Sequence, residues 1–295
     1  MRYVIAGSSG FLGTALRDRL AGTGHEVLRL VRRQPSTPDE SRWDPYSGDV
    51  DRAVIESADA VVNLVGAPLA RLWTASHREA IRTSRVASTR TLAQAIADSD
   101  PPPLFLAQSA IGIYGNDRGD TVLDETSPSE SGAFLQSVVV DWEAATNPAK
   151  DAGARVLHMR TGVVIHRSGG ALGTMLPVFR LGLGGKFGSG AQYFSVISLV
   201  DWVEAVIFLA ELDNASGIYN LTAPDPPTNA EWTTALGRAL HRPTRLTVPA
   251  FALKPVGELS GEVLGSLRVV PSALLTAGFE FRHPTVDEVA EAALR

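Results

Sequence analysis

The sequence predicts an α/β fold built on a doubly wound parallel sheet, and three observations predict it. Tyr3-Val4-Ile5-Ala6 is an apolar run of strand length with glycines directly behind it. From Phe11 to Leu20 the apolar residues Leu12, Ala15, Leu16 and Leu20 recur at helical spacing. Gly22 and Gly24 then stop that helix, and Val27-Leu28-Arg29-Leu30-Val31 reads as a second strand. Strand, helix and strand within about 31 residues make a βαβ unit, whose two strands must run parallel.

The alternation continues down the chain. Ala60 to Val65 is a buried-type strand ending at Gly66. Residues 75–98 lack glycine and proline and carry Ile81, Ala87, Leu92 and Ile96 in a helical pattern. Pro101-Pro102-Pro103 ends that element, and Leu104-Phe105-Leu106-Ala107 begins another strand. A helix over 134–151 leads to a strand over 155–160. This rhythm is the signature of a sheet with helices on both faces. After about residue 165 the texture changes. Five glycines fall between Gly182 and Gly190, which predicts a mobile loop or a surface of close backbone approach. From Val248 onward Pro249, Pro255, Pro271 and Pro284 separate short apolar segments. The expected organisation is a nucleotide-binding core over 1–165, lobe segments over 166–247 that interleave with it, and a small, mainly helical C-terminal domain over 248–295. The lobe is of mixed α/β character.

Bulk properties bound the function. At 295 residues, 44% apolar and 20% charged, the chain is of ordinary globular composition. A net charge of −5 gives no reason to expect nucleic acid or an anionic membrane as a partner. The absence of cysteine excludes disulfides, thiolate zinc sites and cysteine nucleophiles, and sits easily with a reducing cytoplasm. Polar and glycine residues interrupt the first apolar run too early for a signal peptide, and no apolar stretch reaches membrane-helix length. The expectation is a cytoplasmic enzyme or binding protein.

Gly7-Ser8-Ser9-Gly10-Phe11-Leu12-Gly13 carries the chemistry of the first half. In a GxxGxxG turn between strand and helix, the first glycine permits the tight turn and the second lets backbone N–H groups approach a pyrophosphate. The third lets the helix pack against the sheet. The helix N-terminus adds aligned dipoles and free donors for the phosphates. In context this is a Rossmann-type dinucleotide loop, with Ser9, Phe11 and Leu12 among its contacts. An NAD site places a carboxylate at the end of the second strand, to bind the ribose hydroxyls. Here Val31-Arg32-Arg33 stands instead. A carboxylate repels a 2′-phosphate, whereas a guanidinium pairs with it. The expected cofactor is therefore NADP, with Arg32 as the phosphate ligand and Arg33 as the weaker candidate. No histidine shows metal-ligand spacing, so no metal site is expected.

These motifs fall in a familiar order. The glycine loop, Asp59 to Gly66 (DAVVNLVG), Trp73, Ser84-Arg85, Ser109 to Gly115 (SAIGIYG) and Trp142-Glu143 together resemble an extended short-chain dehydrogenase/reductase. The closer resemblance is to the NAD-dependent epimerase/dehydratase-like "epimerase family protein" subgroup, which carries a small C-terminal domain of unknown function. Arg160 to Val164, residues 169–179, residues 182–192, Thr228 to Glu231, Val269-Val270-Pro271 and Gly278 to Phe281 also fit. The resemblance implies a Rossmann-like fold and NADP(H) binding, with Arg32 at the adenosine phosphate. It places Leu64 and Val65 beside the dinucleotide and Arg85 on the helix facing it. It also implies kinship to nucleotide-sugar epimerases, so the expected partner is a small-molecule substrate, a nucleotide sugar among the classes. A homodimer through a helix pair is compatible with the superfamily.

Short-chain dehydrogenases use a Tyr-x-x-x-Lys pair, in which the lysine lowers the tyrosine pKa for proton exchange with substrate. In extended members a glutamate follows the lysine by four positions. If Glu143 is that glutamate, Leu135 and Val139 occupy the tyrosine and lysine positions, and residues 134–140 contain neither residue type. Ser109 stands where relatives carry a Ser or Thr near the reacting oxygen, its register uncertain by one; its other reading is a turn or cap serine. Tyr114 is a candidate proton donor or a tyrosine packed at the sheet edge. Relatives often read Trp-Ile-His where this chain has Val196-Ile197-Ser198, and Asp201 just after is expected to cap a helix. Asp124-Glu125 is a candidate acid/base pair or, as adjacent carboxylates in a polar loop usually are, simply solvated, and Arg180 and Lys186 are expected to flank a solvated loop or meet substrate phosphates. Two functions follow: an NADP-dependent oxidoreductase or epimerase with altered proton chemistry, or a non-catalytic NADP(H)-binding sensor.

Overall fold

Alternating apolar runs place two cores on opposite faces of one sheet. In the computed structural model, which describes residues 1–252 and 257–295, strands β1 (Arg2–Ala6), β2 (Glu26–Val31) and β3 (Glu40–Asp44) form one half of that sheet, ending at the short β4 (Asp49–Val50). The other half comprises β5 (Ala60–Asn63) and β6 (Leu104–Ala110), with β8 (Val156–Thr161) and β12 (Gly217–Leu221) beyond. The short strands β7 (Val122–Leu123), β9 (Val163–Ile165), β10 (Gly185–Phe187) and β11 (Val196–Ser198) lie outside the sheet, as do β13 (Leu246–Val248) and β14 (Arg268–Val269). The order is β12-β8-β6-β5-β1-β2-β3-β4, parallel throughout except at the β3–β4 hairpin. Strand order reverses at β1, so a crevice opens beyond the carboxyl ends of β1 and β5, where doubly wound sheets bind ligands.

The period of two decides which helices each face receives. Tyr3, Ile5, Leu106 and Met159 face α1 (Phe11–Gly22) and α7 (Leu199–Glu211), whose Trp202 is fully buried. Val4, Val61 and Phe105 face the other way, toward α3 (Ala75–Ala97) with its Leu92 and Ile96. Between them in the chain lies α2 (Arg52–Glu56), capped by Asp51. The single helix expected over 134–151 is two: α4 (Phe134–Ala144) and α5 (Asn147–Asp151), which starts afresh with Pro148 in its first turn. A proline is accepted there because its missing N–H has no partner to lose.

The lobe does not stand apart from the core. Helices α6 (Gly170–Arg180) and α8 (Asn229–Ala239) precede the C-terminal α9 (Leu259–Leu264), α10 (Ser272–Thr276) and α11 (Val286–Ala292). β14 pairs in parallel with β7, and Val289 and Ala290 of α11 join a core with Trp232 and Leu236 of α8. Pro255 of the expected proline-rich tail lies outside the described residues. The five-glycine stretch contains β10, whose backbone runs so close to β13 that a Cβ on Gly185 would stand 2.3 Å from the Leu246 carbonyl oxygen.

Two carboxylates fasten the C-terminal segment, and both correct the sequence expectation. Ser198, not Asp201, caps α7: its hydroxyl accepts the Asp201 N–H at 3.0 Å. The fully buried Asp201 carboxylate accepts from the Ser198 hydroxyl at 3.0 Å and, beyond its own helix, from the backbone N–H of Arg282 (2.8 Å) and His283 (3.0 Å). The imidazole missing from position 198 returns from this segment, with His283 Nδ1 2.9 Å from Ser198 Oγ. Glu125, expected in solvent, accepts from the N–H of Asn220 (2.9 Å) and Ala273 (3.2 Å) and ties α10 to the sheet edge. A polar loop sequence cannot reveal which of two adjacent carboxylates finds distant backbone donors. Replacing Asp201 by alanine leaves those two donors buried without partners and should lower stability by about 2–4 kcal/mol. Denaturant unfolding measures this loss, and limited proteolysis should then cut near residues 282–283.

Candidate dinucleotide site

The site begins with backbone, because the glycine loop leaves no room for side chains. Gly7 has φ +83°, and a Cβ there would lie 2.8 Å from the Leu64 carbonyl carbon; at Gly13 it would lie 2.2 Å from the Gly7 oxygen. The turns after β1 and β5 therefore touch, and α1 is drawn against the loop. The cap residue of α1, Gly10, offers no side chain to the first-turn N–H groups, which stay available to an anion. Ser9 and Gly10 are exposed at this mouth, and Phe11 and Leu12 are half-buried.

The opposite wall, residues 64–67, is held by a polar relay. Buried Asn63 donates to Thr89 Oγ1 at 2.8 Å and accepts the Val65 N–H at 3.1 Å, while Trp142 Nε1 donates to the same Thr89 at 2.9 Å. Ser84 accepts the Ala67 N–H at 2.9 Å. This fixes Leu64 and Val65 beside the glycine loop. Arg85 donates to the carbonyls of Ala67 (3.2 Å) and Ile81 (3.0 Å) and lies over the Trp142 ring, 5.2 Å from its centroid. Among the described residues it has no carboxylate partner, and burial alone brings its pKa down to about 10. A half-buried guanidinium without a carboxylate partner among the described residues suits an anionic ligand.

At the end of β2 the two arginines part company. Arg33 is bound by the Glu40 carboxylate, donating to Oε2 at 2.8 Å, and also donates to Ser36 Oγ at 3.1 Å. Glu40, held by Arg33 and the Ser36 N–H, is drawn down to about 2. Arg32 is exposed and forms no ion pair among the described residues. The glycine cradle, the open first turn of α1, Arg32 and Arg85 together fit a dinucleotide bearing phosphates.

Ser109 and Tyr114 lie on the α4 side of β6, in a buried network that the sequence did not disclose. Ser109 donates to Glu143 Oε1 at 2.6 Å. Arg160 donates to both Glu143 oxygens at 2.9 Å and to the Tyr114 hydroxyl at 3.1 Å, and Tyr114 donates to Asn220 Oδ1 at 2.9 Å. Ser109 is 1% exposed and Tyr114 0%. Burial opposes the Arg160 charge, but its bonds to Glu143 hold its pKa above the ordinary value. Burial pushes the Tyr114 phenol up, against the pull of Arg160. His158, beside Thr146, is pushed down to about 4 by burial and stays neutral. In the sequence Glu143 served only as a ruler for the catalytic helix; here it is the charge around which the network closes. α4 has no tyrosine or lysine, and Leu135 and Val139 stand on it one turn apart. Arg180 is exposed, and Lys186 donates to the Ser189 carbonyl at 3.0 Å.

The βαβ turn, the crevice at the strand reversal and the unpaired arginines define a Rossmann-type dinucleotide-binding protein. The chain belongs to the NAD dependent epimerase/dehydratase family, which it matches over residues 3–222, and residues 248–293 match a domain of unknown function, DUF1731. It is 47% identical over 287 residues to the epimerase family protein Mb2239 of Mycobacterium bovis, covering 96% of this chain and 94% of that one. The crystal structure of human epimerase family protein SDR39U1 (isoform 2) with NADPH superposes with a TM-score of 0.91 at 32% identity, covering 99% of both chains. A nucleoside-diphosphate sugar epimerase from Corynebacterium glutamicum gives 0.82 at 36% identity, covering all of this chain and 58% of that one.

Two outcomes are expected here. Glu143→Gln should cost about 3–5 kcal/mol by leaving Arg160 buried without its counter-charge, against about 1 kcal/mol for Tyr114→Phe; chemical denaturation compares them. Glu262 on α9 has no partner among the described residues, and burial raises its carboxyl from 4.5 to about 7. The folded chain thus keeps this proton where the unfolded chain has lost it. Its contribution to stability falls as pH rises from 4.5 through about 7. Glu262→Gln should therefore raise the thermal transition at pH 8 and leave it nearly unchanged at pH 4.

Proposed function

We propose that the chain is an NADP(H)-dependent oxidoreductase or epimerase of this family, acting on a small-molecule substrate of nucleotide-sugar type. The observation that carries the cofactor assignment is the division of labour at β2. Arg33 is spent on Glu40, and Arg32 stands exposed with its guanidinium available to a 2′-phosphate. Arg33 has its own part, because it neutralises a carboxylate that would otherwise repel that phosphate. Arg85 and the first turn of α1 would take the pyrophosphate. The NADPH in the human relative and the sugar-nucleotide name of the bacterial one support the same reading. When bound, the nicotinamide supplies the hydride chemistry. Ser109 and Tyr114 are the groups proposed to exchange the proton, linked through Glu143 and Arg160.

One observation favours a second reading, a non-catalytic NADP(H) sensor. Both hydroxyls are buried and already committed to protein partners. A sensor needs only that the cofactor stabilise one conformation.

Fluorescence titration with NADPH and NADH decides the cofactor. Arg32→Ala should weaken NADPH binding by roughly 10- to 100-fold, the worth of a charge-assisted pair, and leave NADH unchanged. Arg33→Ala should weaken NADPH less. Failure of the parent protein to bind either cofactor at micromolar concentration would remove the proposal. If NADPH binds, loss of turnover on sugar nucleotides in Ser109→Ala and Tyr114→Phe supports the enzyme. Binding without turnover on any tested substrate supports the sensor.

A further inference from the structure

Two stretches of the chain are free of acidic residues. From Ala152 to Val200, and again from Trp232 to Gly257, the sequence has no aspartate or glutamate, although the whole chain carries a net charge of −5. The fold brings residues 178–185 of the first stretch and 242–246 of the second together at one corner of the lobe. The turn that ends α6 passes Pro243, whose ring lies 3.5 Å from where a Cβ on Gly182 would stand. Arg242 Nε donates to the Arg180 carbonyl at 2.8 Å, and Gly185 registers with Leu246 across the β10–β13 pair.

Large apolar side chains protrude at this corner. Leu181 is 74% exposed, Leu183 56%, Leu246 49% and Val178 47%. Arg180, Arg242 and Arg245 are exposed among them, and none forms an ion pair among the described residues. Single exposed leucines need no explanation, but four exposed apolar side chains at one corner with three exposed arginines that form no ion pair among the described residues do. The shape limits the partner. Leu181 and Leu183 stand on the tip of a turn, which enters a soft interface more readily than it receives a helix. A lipid interface accepts protruding apolar groups and offers phosphates that guanidinium binds bidentately. No described helix is long and apolar enough to cross a membrane, so the contact would be peripheral.

We propose that this corner docks reversibly on an anionic phospholipid bilayer, with Leu181 and Leu183 entering the boundary between headgroups and acyl chains and the three arginines pairing with lipid phosphates. The net charge of the chain pointed away from such a surface; the segregation of its cations reverses that locally. Each basic residue near an anionic surface is worth about fivefold in partition, so three amount to roughly a hundredfold before losses to geometry and salt.

The test is sedimentation of the full chain with phosphatidylcholine vesicles, with and without phosphatidylglycerol. Partition onto the anionic vesicles should exceed that onto neutral ones at least about tenfold and fall as salt rises. The Leu181→Asp/Leu183→Asp and Arg180→Glu/Arg245→Glu pairs should each abolish the preference, with thermal transitions at the parent value because these side chains are exposed. Equal partition onto both vesicles, or parental partition in either double variant, overturns the proposal. So does light scattering in which the parent is a dimer that the leucine variant dissociates, which would give the corner to a second copy of the chain.

Discussion

The buried pair of Glu143 and Arg160 is the constraint to which the middle of the molecule conforms. Two opposite charges removed from water persist only if every remaining donor and acceptor is met. Ser109 on β6, Tyr114 in the turn after it and Asn220 on β12 are placed to do this, so the pair binds α4 to three neighbouring strands. His158 beside the pair is neutral chiefly because burial penalises its charge, a cost that the nearby Glu143 only partly offsets. The pair also sets a condition on chemistry. A proton leaving Ser109 or Tyr114 must be exchanged against this network, and an incoming ligand must compete with bonds already made.

β1, α1, β2, β5, α3 and β6 are legible because each declares itself locally. A strand buried on both faces is an unbroken apolar run, and a helix on a sheet repeats its apolar residues every three or four positions. The expectation failed where structure rests on contacts distant in sequence. β3 begins with a charged Glu40 and holds an exposed arginine, so nothing in its own residues marks it as a strand beside β2. The break between α4 and α5 was missed because a proline within a helical pattern does not say whether it kinks a helix or begins one. The immediate neighbours of Asp201 suggest a cap, while its backbone donors lie more than eighty positions away.

The cofactor end of the site shows the same division. The glycine loop is readable because its requirement is steric and local: a turn that touches β5 excludes every Cβ. The choice between Arg32 and Arg33 was not fully readable, because adjacent identical residues differ only in what the fold sets beside them. Arg33 meets a carboxylate and Arg32 meets water. The polar network around Ser109 gave no local sign at all.

The arginines as a set therefore sort the molecule's functions by their partners. Arg160 and Arg33 are matched by carboxylates, and their charge is consumed in holding structure. Arg85 is half-buried against carbonyls and an aromatic ring, with desolvation opposing its charge and no counter-ion among the described residues to offset it. In the proposed function that cost would be offset on binding, because a phosphate placed there would supply the missing counter-charge. In the same proposal Arg32, being exposed, would gain less per contact, but the 2′-phosphate it would bind is what separates one dinucleotide from the other. The proposed function thus assigns affinity and selectivity to different arginines: the half-buried one would contribute strength to any dinucleotide, and the exposed one the difference between two.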